Sequence, residues 1–468
     1  MTTTQAVCDF ISSVELTDVS SSALRRAKES LLDGVGLAVA GSVSEPGRLA
    51  TDYVADLATA NRRARVLGAG TETDARFAAF VNGISIHADD FDDTQLALSA
   101  DRVYGLLTHP TAPVFAAVLS VADELNLDGA RLLRGYVVGV EVATKVAEAI
   151  LPRHYEDGFH STGTAGTIGA AAGLCSMLSL DAETSARVLG LAASQAAGLR
   201  ENFGTMTKPF HAGRAAESAV VAVSLVRRGW TSAPNILEAD RGFFRAAGGG
   251  FDATLIDDVL GSPWTFDHPG VSIKPFPSGS LTHPAMCALQ TLVTEHGLEA
   301  DDIEQIYAGT NRHMPTALIH HRPTNSLEAK FSMEYCLAIV AIAEDVGLPQ
   351  FTDDRVLAPD VQRMLRRVEF VEDPSVDLDY DKMNTLLRVT TKGGRTIESM
   401  AQYAKGSPSL PLSWSELVGK FERNLAWGGI TDTGRYEPLV ASLNEIETVS
   451  SVRDVVDQLV TVAREEVG

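Results

Sequence analysis

The sequence is short of several things, and each shortage narrows what the chain does. Only four cysteines occur, Cys8, Cys175, Cys287 and Cys336. They form neither a Cys-x-x-Cys pair nor a disulfide framework, so they read as small apolar fillers in a reducing compartment. Basic residues are outnumbered, 39 Lys and Arg against 61 Asp and Glu, for a formal charge of −22. That balance excludes nucleic acid and anionic membrane surfaces as expected partners, because both need a basic face. It leaves room for an anionic small molecule, since a few cations in a cleft set the local field. No long apolar run is present. The most apolar early stretch, Leu31 to Gly41, falls short of the ~20 residues of a spanning helix. The N-terminal MTTTQAVCDFISSVEL has no basic, then apolar, leader pattern. A cytoplasmic protein is the expectation.

Familiar catalytic signatures are missing too. There is no His-Glu-x-x-His, no Cys/His tetrad, no Gly-x-Ser-x-Gly and no phosphate-binding Gly-Lys-Ser/Thr loop. His313, His320 and His321 cluster, but not at zinc spacing. We therefore expect no metal.

What is present is mostly helix. Apolar residues recur at three- and four-residue steps from Leu24 to Val35, and again over 113–125, 128–150, 164–178, 182–197 and 214–228. Asp181 has the character of an N-cap and Gly229 of a helix stop. Gly163, Gly166, Gly169 and Gly173 suit close helix packing. Near Pro263 the character changes. Residues 303–310 and 386–391 read as strands, with a hairpin turn at Lys392-Gly-Gly-Arg395. Helices are expected at 328–344 and 359–367, and the helical pattern resumes over 417–425 and 449–467. The expected architecture is mainly α with an α+β insert. A large all-helical domain (1–265 and 412–468) is interrupted by a smaller α+β lid domain (266–411).

Four short motifs carry the chemistry: His87-Ala-Asp-Asp-Phe-Asp-Asp-Thr-Gln95, Gly158-Phe-His160, Thr207-Lys-Pro-Phe-His211 and Ser272-Ile-Lys-Pro-Phe-Pro277. Each sets ionisable groups in apolar surroundings, where they need a partner or a task. Lys-Pro-Phe occurs twice, at Lys208 and Lys274, and Leu-Thr-His-Pro twice, at His109 and His283. An ammonium fixed beside proline and an aromatic ring serves as a point charge for a carboxylate. The acidic cluster has a rival meaning. Asp89 to Asp93 satisfies the DDxxD pattern of magnesium-dependent isoprenoid synthases, although the second magnesium motif of those enzymes is absent. The plainest alternative is a solvated acidic loop.

Taken together the motifs resemble the MmgE/PrpD family, from Leu31-Leu-Asp-Gly-Val-Gly36 through the four motifs to Gly406-Ser-Pro and Lys420-Phe421. That family includes 2-methylcitrate dehydratase, cis-aconitate decarboxylase and iminodisuccinate epimerase. The resemblance implies a helical domain closed by an α+β lid, a homodimer, and catalysis without metal or organic cofactor. It places the site on Asp90, Thr94, His109, His160, Lys208 and Lys274, with Tyr335 as a lid contribution. His211 is a further substrate-binding candidate. Residues Gln95 to Thr108 make a longer link than the family's decarboxylases have, and its Arg102 and Tyr104 are candidate substrate readers. Lys208 and Lys274 are expected to bind carboxylates, His109 and His160 to act as acid and base, and Asp90 to orient a neighbour. The expected activity is a lyase acting on a small di- or tricarboxylate, dehydration ahead of decarboxylation. An epimerase of a dicarboxylate such as iminodisuccinate is second, a magnesium-dependent isoprenoid enzyme third and a non-catalytic helical scaffold fourth.

Overall fold

The computed structural model describes residues 2–57, 63–95, 108–150, 153–312, 314–376 and 384–460. The helical part begins with α1 (Thr3–Ser13), α2 (Ser21–Ser42) and α3 (Glu45–Ala55). A two-residue ribbon, β1 (Ala64–Arg65) with β2 (Glu72–Thr73), comes next. It continues through α4 (Ala75–His87), α5 (Thr111–Leu125), α6 (Gly129–Ile150), α7 (Arg153–Glu156), α8 (Ser161–Met177), α9 (Ala182–Ala193) and α10 (Thr207–Val226). Side-chain caps mark the starts: Ser20 accepts from the Ala23 N–H, Asp74 from Phe77 and Asp181 from Thr184.

Every residue of α8 is buried. Its glycines let it press against α6. A Cβ on Gly169 would lie 2.4 Å from the Ala143 Cβ, and one on Gly173 would lie 2.5 Å from the Gly135 carbonyl oxygen. A similar crossing joins α4 to α10, where a Cβ on Gly83 would stand 2.8 Å from the Gly213 Cα. This close approach brings the last residue of α4, His87, to the first turn of α10.

The chain from 227 to 275 departs from the expected run of helices. It holds only α11 (Phe243–Gly248) and short turns. Glu141 on α6 ties it down by accepting the Gly261 and Thr265 N–H groups at 2.9 and 2.7 Å.

The α+β part holds α12 (His283–His296), α13 (Met314–Ala317), α14 (Ser326–Ala329), α15 (Met333–Ile342), α16 (Asp353–Val356) and α17 (Pro359–Leu365). Its sheet has β3 (Ile303–Thr310), β4 (Val368–Glu372), β5 (Thr385–Thr391) and β6 (Thr396–Ala401) in the order β4-β3-β5-β6. β4 runs parallel to β3 and the other pairs are antiparallel, with Tyr307 opposite Arg388. A core including Met286, Ile306, Tyr335, Leu337 and Leu387 lies under this sheet. The single helix expected over 328–344 is broken between α14 and α15. There the Ser332 side chain accepts the Tyr335 N–H and starts a new helix.

The last elements, α18 (Trp414–Trp427), α19 (Tyr436–Asn444) and α20 (Val452–Val456), return to the helical part. Leu417, Phe421, Leu439 and Val455 share one core with Leu31, Phe115 and Leu174. The expected helix over 449–467 is shorter, and its residues beyond Val460 lie outside the described ones. Among the described residues no helix is long and apolar enough to cross a membrane. The chain is mainly α, with a small mixed sheet in an α+β part.

Candidate active site

The loop that leaves α4 is the centre of the site. Asp90 adopts φ +50°, a left-handed conformation unusual for a side-chain-bearing residue. Its carboxylate Oδ1 accepts from Lys208 Nζ at 2.6 Å and lies 3.0 Å from Lys274 Nζ, which also donates to the Asp90 carbonyl at 3.0 Å. Burial pushes the Asp90 carboxyl up, but the two ammoniums outweigh it and hold the group well below the usual carboxylate range. Burial pushes the Lys274 ammonium down, and Asp90 works against that shift. Asp90 thus gives two buried lysines a shared counter-charge.

Lys208 stands in the first turn of α10, not in a turn before it, because that helix starts at Thr207. Lys274 comes from the segment that joins the two parts. Paired backbone hydrogen bonds, Thr94 N–H to Ser272 at 2.9 Å and Ser272 N–H to Thr94 at 2.8 Å, lock this segment to the acidic loop.

Four imidazoles surround the pair. His87 Nδ1 faces both Asp92 oxygens at 3.0 and 2.9 Å, and its Nε2 accepts from Lys208 at 3.1 Å. A proton on Nδ1 satisfies both contacts. His109 Nδ1 lies 3.1 Å from the Asp93 carbonyl and 3.3 Å from Asp92 Oδ1, which directs its Nε2 towards Asp90 Oδ1 at 3.9 Å. His160 is the N-cap residue of α8, without a side-chain cap bond. Its Nδ1 meets His211 Nδ1 at 3.0 Å, while its Nε2 is buried with no hydrogen-bond partner among the described residues. Burial lowers all four rings, to about 3 for His87 and about 4 for His211, so they are neutral at pH 7. Burial pushes Asp92 up, yet the two imidazoles facing it bring it well below the ordinary range. Asp93 goes the other way, to about 7. Burial dominates there, and the Thr111 hydroxyl that donates to it at 2.5 Å does not compensate.

Asp90, Thr94, His109, His160, Lys208 and Lys274 all line one cavity of about 50 Å3. Tyr155 and Phe203 complete its helical wall, and Leu281, Leu318 and Phe331 close it from the α+β part. Two contacts seal that closure. Phe203 stacks on Phe331 with centroids 6.0 Å apart, and Lys330 Nζ lies 2.9 Å from Asp89 Oδ1.

Other expected residues lie elsewhere. Tyr335 is not at the cavity: it is fully buried in the core under the sheet, and its hydroxyl donates to the Gln350 carbonyl. Its ring packs against Phe351, with centroids 5.4 Å apart, so packing rather than substrate holds it. His211 stands behind His160 and does not line the cavity. Arg102, Tyr104 and His313 lie outside the described residues. The long link that carries Arg102 and Tyr104 leaves and returns at one place, since the Gln95 N–H bonds the Thr108 carbonyl at 2.9 Å. His283, at the start of α12, bonds the Ser278 carbonyl at 3.1 Å and supports the Lys274 loop. His87 and Asp92 were not singled out from the sequence, although both lie in the motif that supplied Asp90. Phe203 and Phe331 left no signal at all.

His87, Asp90, Asp92 and His109 each offer a ligand atom within 4.8 Å of one another, a spacing that would suit a cation. Two ammoniums within 3.0 Å of the Asp90 oxygen already take that part, and like charges at such range repel strongly. The donor set is better matched to anions brought against Lys208 and Lys274, with imidazoles at hand for proton transfer.

Comparison with known proteins finds relatives over nearly the whole chain. The chain is 28% identical to a cis-aconitate decarboxylase of Mus musculus over 468 residues, covering 95% of this chain and 90% of that protein. It is 27% identical to the Homo sapiens cis-aconitate decarboxylase, covering 96% and 93%. For an Aspergillus terreus protein of the same name the identity is 25%, covering 97% and 96%. Residues 5–256 match the MmgE/PrpD N-terminal domain and residues 276–441 the MmgE/PrpD C-terminal domain. With both halves of the fold and the loop segments of the cavity inside or between those matches, the chain belongs to the MmgE/PrpD family of enzymes.

Proposed function

We propose that this enzyme is a lyase for a small di- or tricarboxylate of the aconitate type, working by proton transfer next to a carboxylate and without metal or organic cofactor. One observation carries it: two ammoniums share the Asp90 carboxylate in a cavity lined by His109 and His160. The names of the near-full-length relatives support decarboxylation ahead of dehydration, the reverse of the order the sequence suggested.

In a decarboxylation the carbon–carbon bond to the leaving carboxylate breaks and CO2 departs. The electron pair stays on carbon, spreads through an adjoining double bond to a second carboxylate, and a proton is then delivered to carbon. Lys208 and Lys274 are suited to hold the remaining carboxylates and stabilise the spreading charge. His160, with a free Nε2, and His109 are suited to carry the proton. Thr94 is suited to hydrogen-bond the substrate. A cavity of about 50 Å3 has room for a few waters only. Substrate entry therefore requires the Phe203–Phe331 and Asp89–Lys330 contacts to part.

The second activity in view is an epimerase of a dicarboxylate. It needs two proton carriers across one carbon, and the His109 and His160 rings stand 6.5 Å apart at the same cavity. The isoprenoid alternative is disfavoured by the lysines on Asp90. We also place the enzyme in the cytoplasm, with no nucleic-acid or membrane partner, as a homodimer. Exposed Leu49, Tyr53, Met206 and Phe210 along one groove support a second copy as neighbour, and sedimentation tests it.

The test is turnover of cis-aconitate and other small polycarboxylates in heavy water, with and without chelator. CO2 release with one deuterium entering the product, unaffected by chelation, is expected. Deuterium exchange with inversion and no CO2 would select the epimerase. No turnover of any polycarboxylate, or turnover abolished by chelation and restored by magnesium, would overturn the proposal.

A further inference from the structure

Two of the sequence motifs, Leu31 to Gly36 and Lys420-Phe421, have no part in the cavity, yet in the fold they meet. Lys420 Nζ lies 2.8 and 3.0 Å from the two Asp33 oxygens and donates to the Phe91 carbonyl at 2.9 Å. It also stands 3.8 Å from the centre of the Phe91 ring. Lys420 is 3% and Asp33 1% exposed. The neighbouring glycines make room for this meeting. A Cβ on Gly36 would lie 2.9 Å from the Phe421 ring, and one on Gly34 2.8 Å from the Thr111 methyl.

A buried ion pair of this kind contributes little net stability, and apolar residues of similar size often replace one without loss. Its place on the loop suggests another task. Phe91 lies between Asp90, which accepts from both lysines, and Asp92, which faces both His87 and His109. Asp90 is in the left-handed region, a conformation that persists only where the surroundings fix it. The surroundings here are two clamps on consecutive carbonyls: Lys274 on Asp90 at 3.0 Å and Lys420 on Phe91 at 2.9 Å.

We propose that Lys420, neutralised by Asp33, is a positioning residue: by holding the Phe91 carbonyl it sets the directions in which Asp90 and Asp92 leave the loop. It touches no substrate. Its effect on turnover rests on the function proposed above, whereas its effect on the loop does not.

The test uses the full chain as Lys420→Met, Lys420→Arg and the double change Asp33→Asn with Lys420→Met, which leaves no buried charge unpaired. Two readouts are taken. The first is kcat and KM on cis-aconitate. The second is the 15N spectrum of labelled histidines without substrate, which reports the Nδ1–H of His87 against Asp92. We expect kcat of Lys420→Met and of the double variant to fall about a hundredfold, the scale of a small misplacement of catalytic groups. KM should change little, Lys420→Arg should regain part of the rate, and the His87 signature should be lost while melting stays cooperative. Wild-type kcat together with an unchanged histidine spectrum in the double variant would overturn the inference. If the wild type turns over no polycarboxylate, the proposed function fails and the histidine spectrum alone decides this one. If none of the three variants folds, the pair is a folding element and the inference is wrong.

Discussion

His160 and His211 face each other Nδ1 to Nδ1 at 3.0 Å, and both rings are held neutral by burial. A hydrogen bond between two neutral imidazoles through these atoms needs one proton, carried by one ring or the other. With the proton on His160 Nδ1, its Nε2 is a bare base. With the proton on His211, His160 carries its own at Nε2 and is an acid. His211 thus selects the role of His160 without lining the cavity. His160→Gln should lower turnover by roughly a hundredfold or more, the ordinary weight of a general acid–base group. His211→Phe keeps bulk and removes the partner, so it should lower kcat by roughly ten- to a hundredfold, the scale of second-layer partners of an imidazole. Steady-state kinetics of the two variants decide this. A His211→Phe enzyme with normal kcat would show the contact to be packing alone.

Lys208 and Lys274 are not interchangeable with surface lysines, because each is buried against the same carboxylate. Lys208→Ala should cost ~3 kcal/mol of transition-state stabilisation, about a hundredfold in rate. Asp90→Asn is the sharper experiment. Burial already lowers Lys274, and Asp90 opposes that shift. Without the carboxylate the lysine loses its proton at lower pH. The alkaline limb of the pH–rate profile should therefore move to lower pH in Asp90→Asn. A profile that keeps its alkaline limb would mean that Lys274 does not act as a charged group.

Much of this site was legible in the sequence because ionisable residues stand out in apolar surroundings. Asp90, Thr94, His109, His160, Lys208 and Lys274 are remote in the chain and line one cavity. The motif that supplied Asp90 also holds His87, but nothing in a linear reading shows that the last residue of α4 turns back onto Asp92. Asp33 and Lys420 were visible only as letters in two distant motifs; their pairing is a product of α2 packing on α18. Tyr335 misled because an aromatic residue beside a Glu has the same local appearance in a core as at a site. The strands over 303–310 and 385–391 follow their β-branched pattern, and the aromatic closure by Phe203 and Phe331 follows from no local pattern.

Stability should fall as the solution is acidified from pH 7 to pH 5. His87, His211 and His283 are lowered by burial to about 3, about 4 and about 3, and His109 and His160 are lowered as well. A lowered imidazole contributes stability that is complete above its unfolded value of about 6.5 and is lost as the pH falls towards its folded value. Each such ring changes stability by up to ~1.4 kcal/mol per pH unit within that window. Asp33, raised to about 6, and Asp93, raised to about 7, act in the opposite sense between about pH 4 and those values. His154 is lowered as well, and Glu29, Glu141 and Glu334 are raised as well, so six rings stand against five carboxyls and the net decline is shallow. Melting temperatures at pH 7, 6 and 5 should decline in order, and Asp93→Asn should make the decline steeper by removing an opposing group. A melting temperature that rises on acidification would contradict the neutral assignment of the imidazoles.

Gly406 tests how far the placement of Lys274 depends on its support. The residue has φ +85°, and a Cβ there would fall 1.9 Å from the Ile273 carbonyl oxygen, a backbone atom that cannot swing aside. Ile273 immediately precedes Lys274, and its N–H bonds the Gly406 carbonyl at 2.9 Å. Gly394, in the turn between β5 and β6, has φ +80°, and a Cβ there would meet nothing within 4 Å, which makes it the control. Gly394→Ala should lose only the ~1–2 kcal/mol of a left-handed alanine and keep full turnover. Gly406→Ala should lose more stability than that and should also lower kcat, because the Ile273 backbone must move and carry Lys274 with it. A shift near 1 Å at a charge-bearing group is worth about a hundredfold. Urea titrations and kinetics of the two alanine variants, side by side, separate the conformational cost from the positional one. Equal stability losses and equal rates would show that the Gly406 contact has no bearing on the lysine.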